Sequence, residues 1–247
     1  MRLEKYRFPE KLVEGLIKAR PNRFIMRVQL GKKLLKCHCP VTGRIGNLRF
    51  SNIPCLLSMS NNPERKTPCT VEAISLDPPA KKNKSWIGIN QTKANEYIAF
   101  FMRTGQMEKM IGKKHEVQRE VPLGKSRIDF LVNGNTYVEA KTMVMMIPSE
   151  KHPNYTGGNK PLTSFDRMIK HFHDLGAAVP KGSRAIILLC FPYDAIQFVP
   201  PKRMKGSGPI KRAARKAQRA GVENWQINLK FDEKGVQLLQ YFPLRLF

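Results

Sequence analysis

The sequence predicts a two-domain α+β protein, with a small all-β barrel over residues 1–90 and an α-β-β-β-α-β unit over residues 91–247. Three observations lead there. Apolar and polar residues alternate with a period of two in short runs through the first ninety positions. The period changes to helical spacing just after Asn90, and from there helical and extended patterns interleave. With 41% hydrophobic residues the chain holds enough apolar material for real cores, which excludes a disordered or collagen-like polymer.

In the first domain Phe24, Met26, Val28 and Leu30 alternate with Ile25, Arg27 and Gln29, and a Gly-Lys-Lys turn leads into a run at 34–39, so the two read as a hairpin. Further extended runs at 55–60, 71–76 and 86–90, separated by Pro, Asn and Gly, bring the barrel to about five strands. In the second domain Ala94, Tyr97, Ile98, Phe101 and Met102 recur at helical spacing, and Gly105 stands where that helix stops. Strands follow near 115–121, 126–132 and 136–144, then a Pro-, Gly- and Asn-rich loop at 148–161. A helix from about Ser164 to Leu175 is closed by Gly176 and followed by a buried strand over 184–191. A basic helix opens with Ser207 as N-cap and Pro209 in its first turn and ends at Gly221. A last hairpin pairs 225–231 with 236–242 around an Asp-Glu-Lys-Gly turn.

Lys and Arg number 44 against 19 Asp and Glu, a net charge of +25, and a field of that size concentrates polyanions, so nucleic acid is the expected partner. The longest apolar stretch, 185–191, is far short of the roughly 20 residues that cross a bilayer. The most basic helix carries mainly alanine on its other face, which argues against membrane-surface binding. Charges throughout MRLEKYRFPEKLVEG leave no secretory signal, and five cysteines are too few for a disulfide framework, so a cytoplasmic setting is expected. No small-molecule cofactor is expected, and oligomerisation stays open.

The chemistry concentrates in SRIDFLVNGNTYVEAKT, residues 126–142, where two extended runs flank Asn133-Gly134-Asn135. If all three of those residues form the loop, Val132 lies opposite Thr136 and Asp129 lies opposite Glu139, with Cβ atoms about 5 Å apart. The period of two then sends Lys141 to the face of Glu139. A two-residue loop would instead pair Asp129 with Val138. Two carboxylates that close repel one another unless a proton or a cation intervenes, and an oxygen-only donor set suits Mg²⁺ or Mn²⁺. Such an ion polarises a phosphodiester and activates water, with Lys141 placed to stabilise charge at phosphorus. Glu116, on the preceding strand, is a further candidate carboxylate. Against this stands the ordinary alternative of charged pairs on a solvated sheet.

The order α-β-β-β-α-β, with Asp129 on the second strand and Glu139-Ala140-Lys141 on the third, resembles the PD-(D/E)XK nuclease fold. The stretches HCPVTG (38–43), NNPERKTPCT (61–70), INQTKAN (89–95), SRIDF (126–130), YVEAKT (137–142), KHF (170–172) and AGVE (220–223) resemble, more specifically, the sugar fermentation stimulation protein (SfsA) family. That resemblance implies an N-terminal OB-like barrel, DNA binding and a metal-dependent nuclease site, with Asp129, Glu139 and Lys141 in the catalytic places and Glu116 in the upstream acidic place. Asp129 and Glu139 would hold the metal. The sequence departs from the family's pattern at Val41, at Thr142-Met143-Val144 and through 148–161.

Other basic residues are candidates for nucleic-acid contact. Arg212, Arg215, Lys216 and Arg219 spread over one arc of the basic helix while Ile210, Ala213, Ala214 and Ala217 can pack inward. A merely solvated face is the alternative. On the helix after the third strand, Arg167, Lys170, His171 and Asp174 lie along one side, so Lys170 and His171 either aim at the same phosphate or remain on the surface. Arg127 flanks Asp129. Arg23, Arg65 and Lys66 can track a backbone, with Phe24 and Trp86 available either for base stacking or for the core. Cys37-His38-Cys39 reads as packing, because alternating strand positions do not converge on one zinc ion. Three functions follow: a DNA nuclease that also accepts RNA, a non-catalytic DNA-binding regulator linked to sugar utilisation, and an RNA-associated basic protein.

Overall fold

A computed structural model describes residues 4–41, 43–113, 116–157, 166–200 and 208–246; His115, Ser164, Phe165, Ser207 and part of the 148–161 loop lie outside them. The first body is built from β2 (Val13–Asn22), β3 (Ile25–Leu30), β4 (Lys33–His38), β5 (Ile53–Met59) and β6 (Cys69–Ile74) in the order β4-β3-β2-β5-β6. A parallel pairing of His38 with Thr70 joins β4 to β6 and closes the sheet into a five-stranded barrel, the OB-like architecture expected. Its interior is filled by Ile17, Met26, Val28, Cys37, Ile53, Cys55, Leu57 and Val71. Cys37 and Cys39 are buried there as free thiols, while His38 between them is half-exposed. The alternation of a strand accounts for both.

The barrel's strand set differs from the expectation in one member. Residues 86–90 contribute only a two-residue strand, β7 (Ile87–Gly88), appended to β6 outside the closed ring. The missing fifth stave is β2, of whose ten residues only Ile17 is fully buried, so its sequence shows no apolar alternation.

The second body is a seven-stranded sheet in the order β1-β13-β12-β11-β10-β9-β8. Its elements are α1 (Gln91–Arg103), the short α2 (Glu108–Ile111), β8 (Val117–Leu123), β9 (Ser126–Val132), β10 (Thr136–Thr142), α3 (Asp166–Ala178), β11 (Arg184–Phe191), α4 (Gly208–Arg219), β12 (Glu223–Asp232) and β13 (Gly235–Pro243). The expected order is present, with α2 added. Strands β10, β11 and β12 are mutually parallel, and parallel neighbours need crossovers, which α3 and α4 supply. Ile186 and Leu188 of β11 join the core beneath α1, whereas Ile187, Leu189 and Phe191 join the core beneath α3 and α4. Burial on both faces explains the unbroken apolar run of β11.

Gly176 does not end α3, which continues to Ala178. A Cβ at Gly176 would lie 3.5 Å from the Ala217 Cα, so this glycine lets α3 and α4 pack closely. The residues before the barrel belong to the second sheet: β1 (Tyr6–Arg7) pairs with β13, and Phe8 and Leu12 share a core with Tyr97 and Phe101. Trp86 is half-buried in the same seam, bridging to Phe231, so it serves packing rather than an exposed stacking platform. Among the described residues no helix is long and apolar enough to cross a membrane.

Candidate active site

The site begins at the β9–β10 turn. Asn133 and Gly134 have φ of 52° and 74°, the left-handed region that Asn and Gly tolerate best. The register pairs Val132 with Thr136 and Phe130 with Val138, so the loop has three residues and Glu139 falls level with Asp129. At that rung side chains replace the backbone ladder. The Asp129 N–H points at Glu139 Oε2 (3.4 Å), and the Ala140 N–H donates to Asp129 Oδ2 (2.8 Å). Asn95 of α1 donates from Nδ2 to Asp129 Oδ1 at 2.8 Å.

Glu139 is 1% exposed. A lone carboxylate so deep would be costly, and two cationic or proton-bearing groups offset it. The His171 Nδ1–H donates to Glu139 Oε1 at 2.5 Å, and the Lys141 ammonium donates to the same oxygen. Lys141 Nζ lies 3.2 Å from His171 Nδ1. The environments push the two acids apart. Burial, then the negative charge of Glu139, raise the Asp129 carboxyl to about 6, against the opposing Ala140 hydrogen bond. Burial acts on Glu139 too, but the His171 hydrogen bond and the Lys141 charge outweigh it and hold Glu139 below its ordinary value. Neighbouring carboxylates split in this way are a recurring arrangement in acid–base and metal chemistry.

Asp129, Glu139 and Lys141 thus come together as the sequence indicates, and His171 joins them. His171 is buried at 3%, not lying on the solvated side of its helix, with Nδ1 against Glu139 Oε1. Glu116 is not brought in. It sits at the turn end of the hairpin, donating its N–H to Asn133 Oδ1 (3.2 Å), four positions along the ladder and roughly 13 Å from the level of Asp129. The β8 residue level with Asp129 is Glu120, whose carboxylate lies 3.4 Å from Arg127 Nε. Among the described residues no group of three or more His, Cys, Asp and Glu side chains is placed to hold a metal ion, and Asp129 and Glu139 are the pair of carboxylates that could share one.

The basic candidates are dispersed. Arg127 is exposed on β9, beside the edge strand β8, and Lys170 is exposed with its ammonium on the Lys125 carbonyl. Arg212, Arg215, Lys216 and Arg219 are exposed along α4, where Ala217 faces the core. Arg23 and Phe24 lie in the β2–β3 turn with the guanidinium carbon 4.7 Å from the ring centroid, and Arg65 and exposed Lys66 lie in the β5–β6 loop. Asn95 was not singled out by sequence reasoning; its signal was its position in the INQTKAN stretch that opens α1.

Comparison with known proteins decides the family. The profile described as the SfsA N-terminal OB domain matches residues 19–89, and that of the sugar fermentation stimulation protein RE domain matches residues 92–235. The chain belongs to the sugar fermentation stimulation protein (SfsA) family. Among its SfsA relatives, the sugar fermentation stimulation protein homolog of Synechococcus sp. is 30% identical over 240 residues, covering 95% of this chain and 93% of that one. The homolog of Pseudoalteromonas atlantica is 31% identical over 246 residues, covering 96% and 98%. The solved structure of Pyrococcus furiosus SfsA in complex with Ca²⁺ superposes with a TM-score of 0.74 at 19% identity, covering 100% of this chain and 99% of that one, a likeness of fold.

Proposed function

We propose that this SfsA protein is a Mg²⁺- or Mn²⁺-dependent nuclease that hydrolyses phosphodiester bonds in DNA, with RNA as a second polymer. The observation that carries this reading is the single rung where Asp129 and Glu139 meet with Lys141 and His171 beside them. The donor set fits a divalent ion: the charge of buried Glu139 raises the cost of ionising Asp129 beside it, and a cation between them would relieve it. The Ca²⁺ of the Pyrococcus furiosus relative supports the same preference. Bound by Asp129 and Glu139, the ion would polarise the phosphodiester and lower the pKa of a bound water.

The remaining chemistry belongs to the chain. His171 and Lys141 occupy Glu139 Oε1, which fixes that carboxylate and directs Oε2 toward Asp129. Asn95 and the Ala140 N–H pin both Asp129 oxygens in place. The Lys141 ammonium, anchored on one side by Glu139, is the nearest cation to stabilise negative charge developing at phosphorus. Basic residues of the barrel and of α4 hold the backbone.

The test is incubation of purified protein with plasmid, single-stranded DNA and RNA in Mn²⁺ or in chelator. Cleavage in Mn²⁺ alone, lost by at least a hundredfold in Asp129→Ala and Glu139→Ala, is expected. Equal cleavage by the variants, or none by the unaltered protein, rejects the reading. The rival, a non-catalytic DNA-binding regulator of sugar utilisation, gains from the position of Glu116 outside the site. Protection of one promoter sequence, unaffected by chelator and by Lys141→Ala, would favour it.

A further inference from the structure

The five-stave ring is shut by its shortest seam. β4 and β6 meet through the pairing of His38 with Thr70, whereas the β2–β3, β2–β5, β3–β4 and β5–β6 ladders each run over several rungs. One residue before that pairing, on both strands, stands a cysteine. Strand alternation turns Cys37 and Cys69 inward, and both are fully buried in the barrel core. Neighbouring strands run about 4.8 Å apart, within the roughly 4.4–6.8 Å between Cα atoms that a disulfide spans. The two sulfurs lie 2.8 Å from one another. A cross-link here asks little of the backbone.

The other thiols are placed differently. Cys39 donates to the Val41 carbonyl (3.7 Å), Cys55 stands on β5 opposite Ile74, and Cys190 is buried in the second body. Within the pair the two sulfurs also differ. A hydrogen bond from Cys37, aided by the charge of Arg65, lowers the Cys69 thiol against the opposing effect of burial. Donating that bond, together with burial, raises Cys37. Cys69 therefore ionises first, and the thiolate is the form that attacks an electrophile.

We propose that Cys37 and Cys69 are an oxidative modification site, a reversible disulfide that staples the barrel at its β4–β6 seam. The oxidant is a hydroperoxide. The Cys69 thiolate attacks one peroxide oxygen, the O–O bond breaks, and the departing hydroxide takes up the proton that Cys69 released, leaving a sulfenic acid and water. Cys37 then attacks that sulfur and gives up its proton as the S–O bond breaks and a second water departs. Each sulfur loses one electron and the peroxide gains two, so two thiols and one hydrogen peroxide yield one disulfide and two waters. With both sulfurs buried, peroxide reaches them when the short seam opens. The cysteines are 32 positions apart, and closing a loop of that length stabilises the fold mainly by constraining the unfolded chain. A dithiol reductant reverses the bond.

The measurement treats full-length protein with hydrogen peroxide in chelator, blocks the remaining thiols with N-ethylmaleimide, and pairs peptide mass spectrometry with thermal melting. A peptide joining Cys37 to Cys69 is expected, with Cys39, Cys55 and Cys190 alkylated. The Tm should rise by roughly 5–10 °C and return to its starting value in dithiothreitol. Cys37→Ser and Cys69→Ser should each abolish the rise, and Cys55→Ala should keep it. If a serine variant does not fold, the peptide map and the melting of the unaltered protein still decide. Cys37 and Cys69 both alkylated after peroxide, a cross-link to any other cysteine, or a Cys37–Cys69 bond that leaves the Tm unmoved overturns the staple. None of these readouts depends on nucleic acid or on Mn²⁺.

Discussion

Asp129 and Glu139 are chemically alike, and their environments make them different. Glu139 is served by His171 and Lys141, whereas Asp129 meets backbone and amide donors and feels Glu139 as a neighbour. Removing that repulsion should stabilise the metal-free protein. Asp129→Asn in chelator at pH 8 is expected to gain on the order of 1–2 kcal/mol, read as a rise of a few degrees in Tm. Mn²⁺ should raise the Tm of the unaltered protein but not of the variant. A variant that melts lower in chelator would show that hydrogen bonding outweighs the repulsion. The sequence announced Asp129, Glu139 and Lys141 through strand parity. It placed His171 on the wrong side because helical periodicity sorts residues by polarity, and a histidine buried against a carboxylate counts as polar.

Whole elements were legible where turn chemistry fixed register. Asn133-Gly134-Asn135 set the β9–β10 rung, and the interleaving after Asn90 gave the order of the second body. Elements escaped where burial was one-sided or came from distant partners: β2 buries Ile17 alone, and the role of Gly176 depends on Ala217 forty-one positions on. The parallel β11–β12 ladder has its own clamp. Glu223 accepts from Arg184 Nε (2.5 Å) and Nη2 (2.6 Å) and from Trp225 Nε1 (2.8 Å). Burial alone would raise the Glu223 carboxyl, but the Arg184 and Trp225 hydrogen bonds hold it below 4.5. A depressed carboxyl adds stability that is present above the unfolded value and lost as pH falls through the folded one. With the pair about a third exposed, Glu223→Gln should cost about 1 kcal/mol at pH 7 in urea denaturation, shrinking as the pH drops below 4.5. A pH-independent loss would point to packing instead.

The net charge is +25, and among the described residues the basic side chains are spread over the barrel, the second sheet and α4, not concentrated at the rung of Asp129 and Glu139. Nucleic-acid affinity should therefore fall steeply with salt. Lys216→Ala and Arg219→Ala in α4 should each lower duplex affinity and flatten the plot of log affinity against log salt by roughly one. Unchanged slopes would remove α4 from the interface.

The pairing of Tyr6–Arg7 with β13 also bears on how the chain is made. A ribosome delivers β13 more than two hundred residues after Tyr6, so the opening segment emerges with its docking strand still unsynthesised. The ring of five staves can close early, yet Tyr6 and Arg7 have no strand to pair with until more than two hundred further residues have appeared. That segment therefore docks late, and an expression tag fused ahead of Tyr6 would burden a late step of maturation rather than the first.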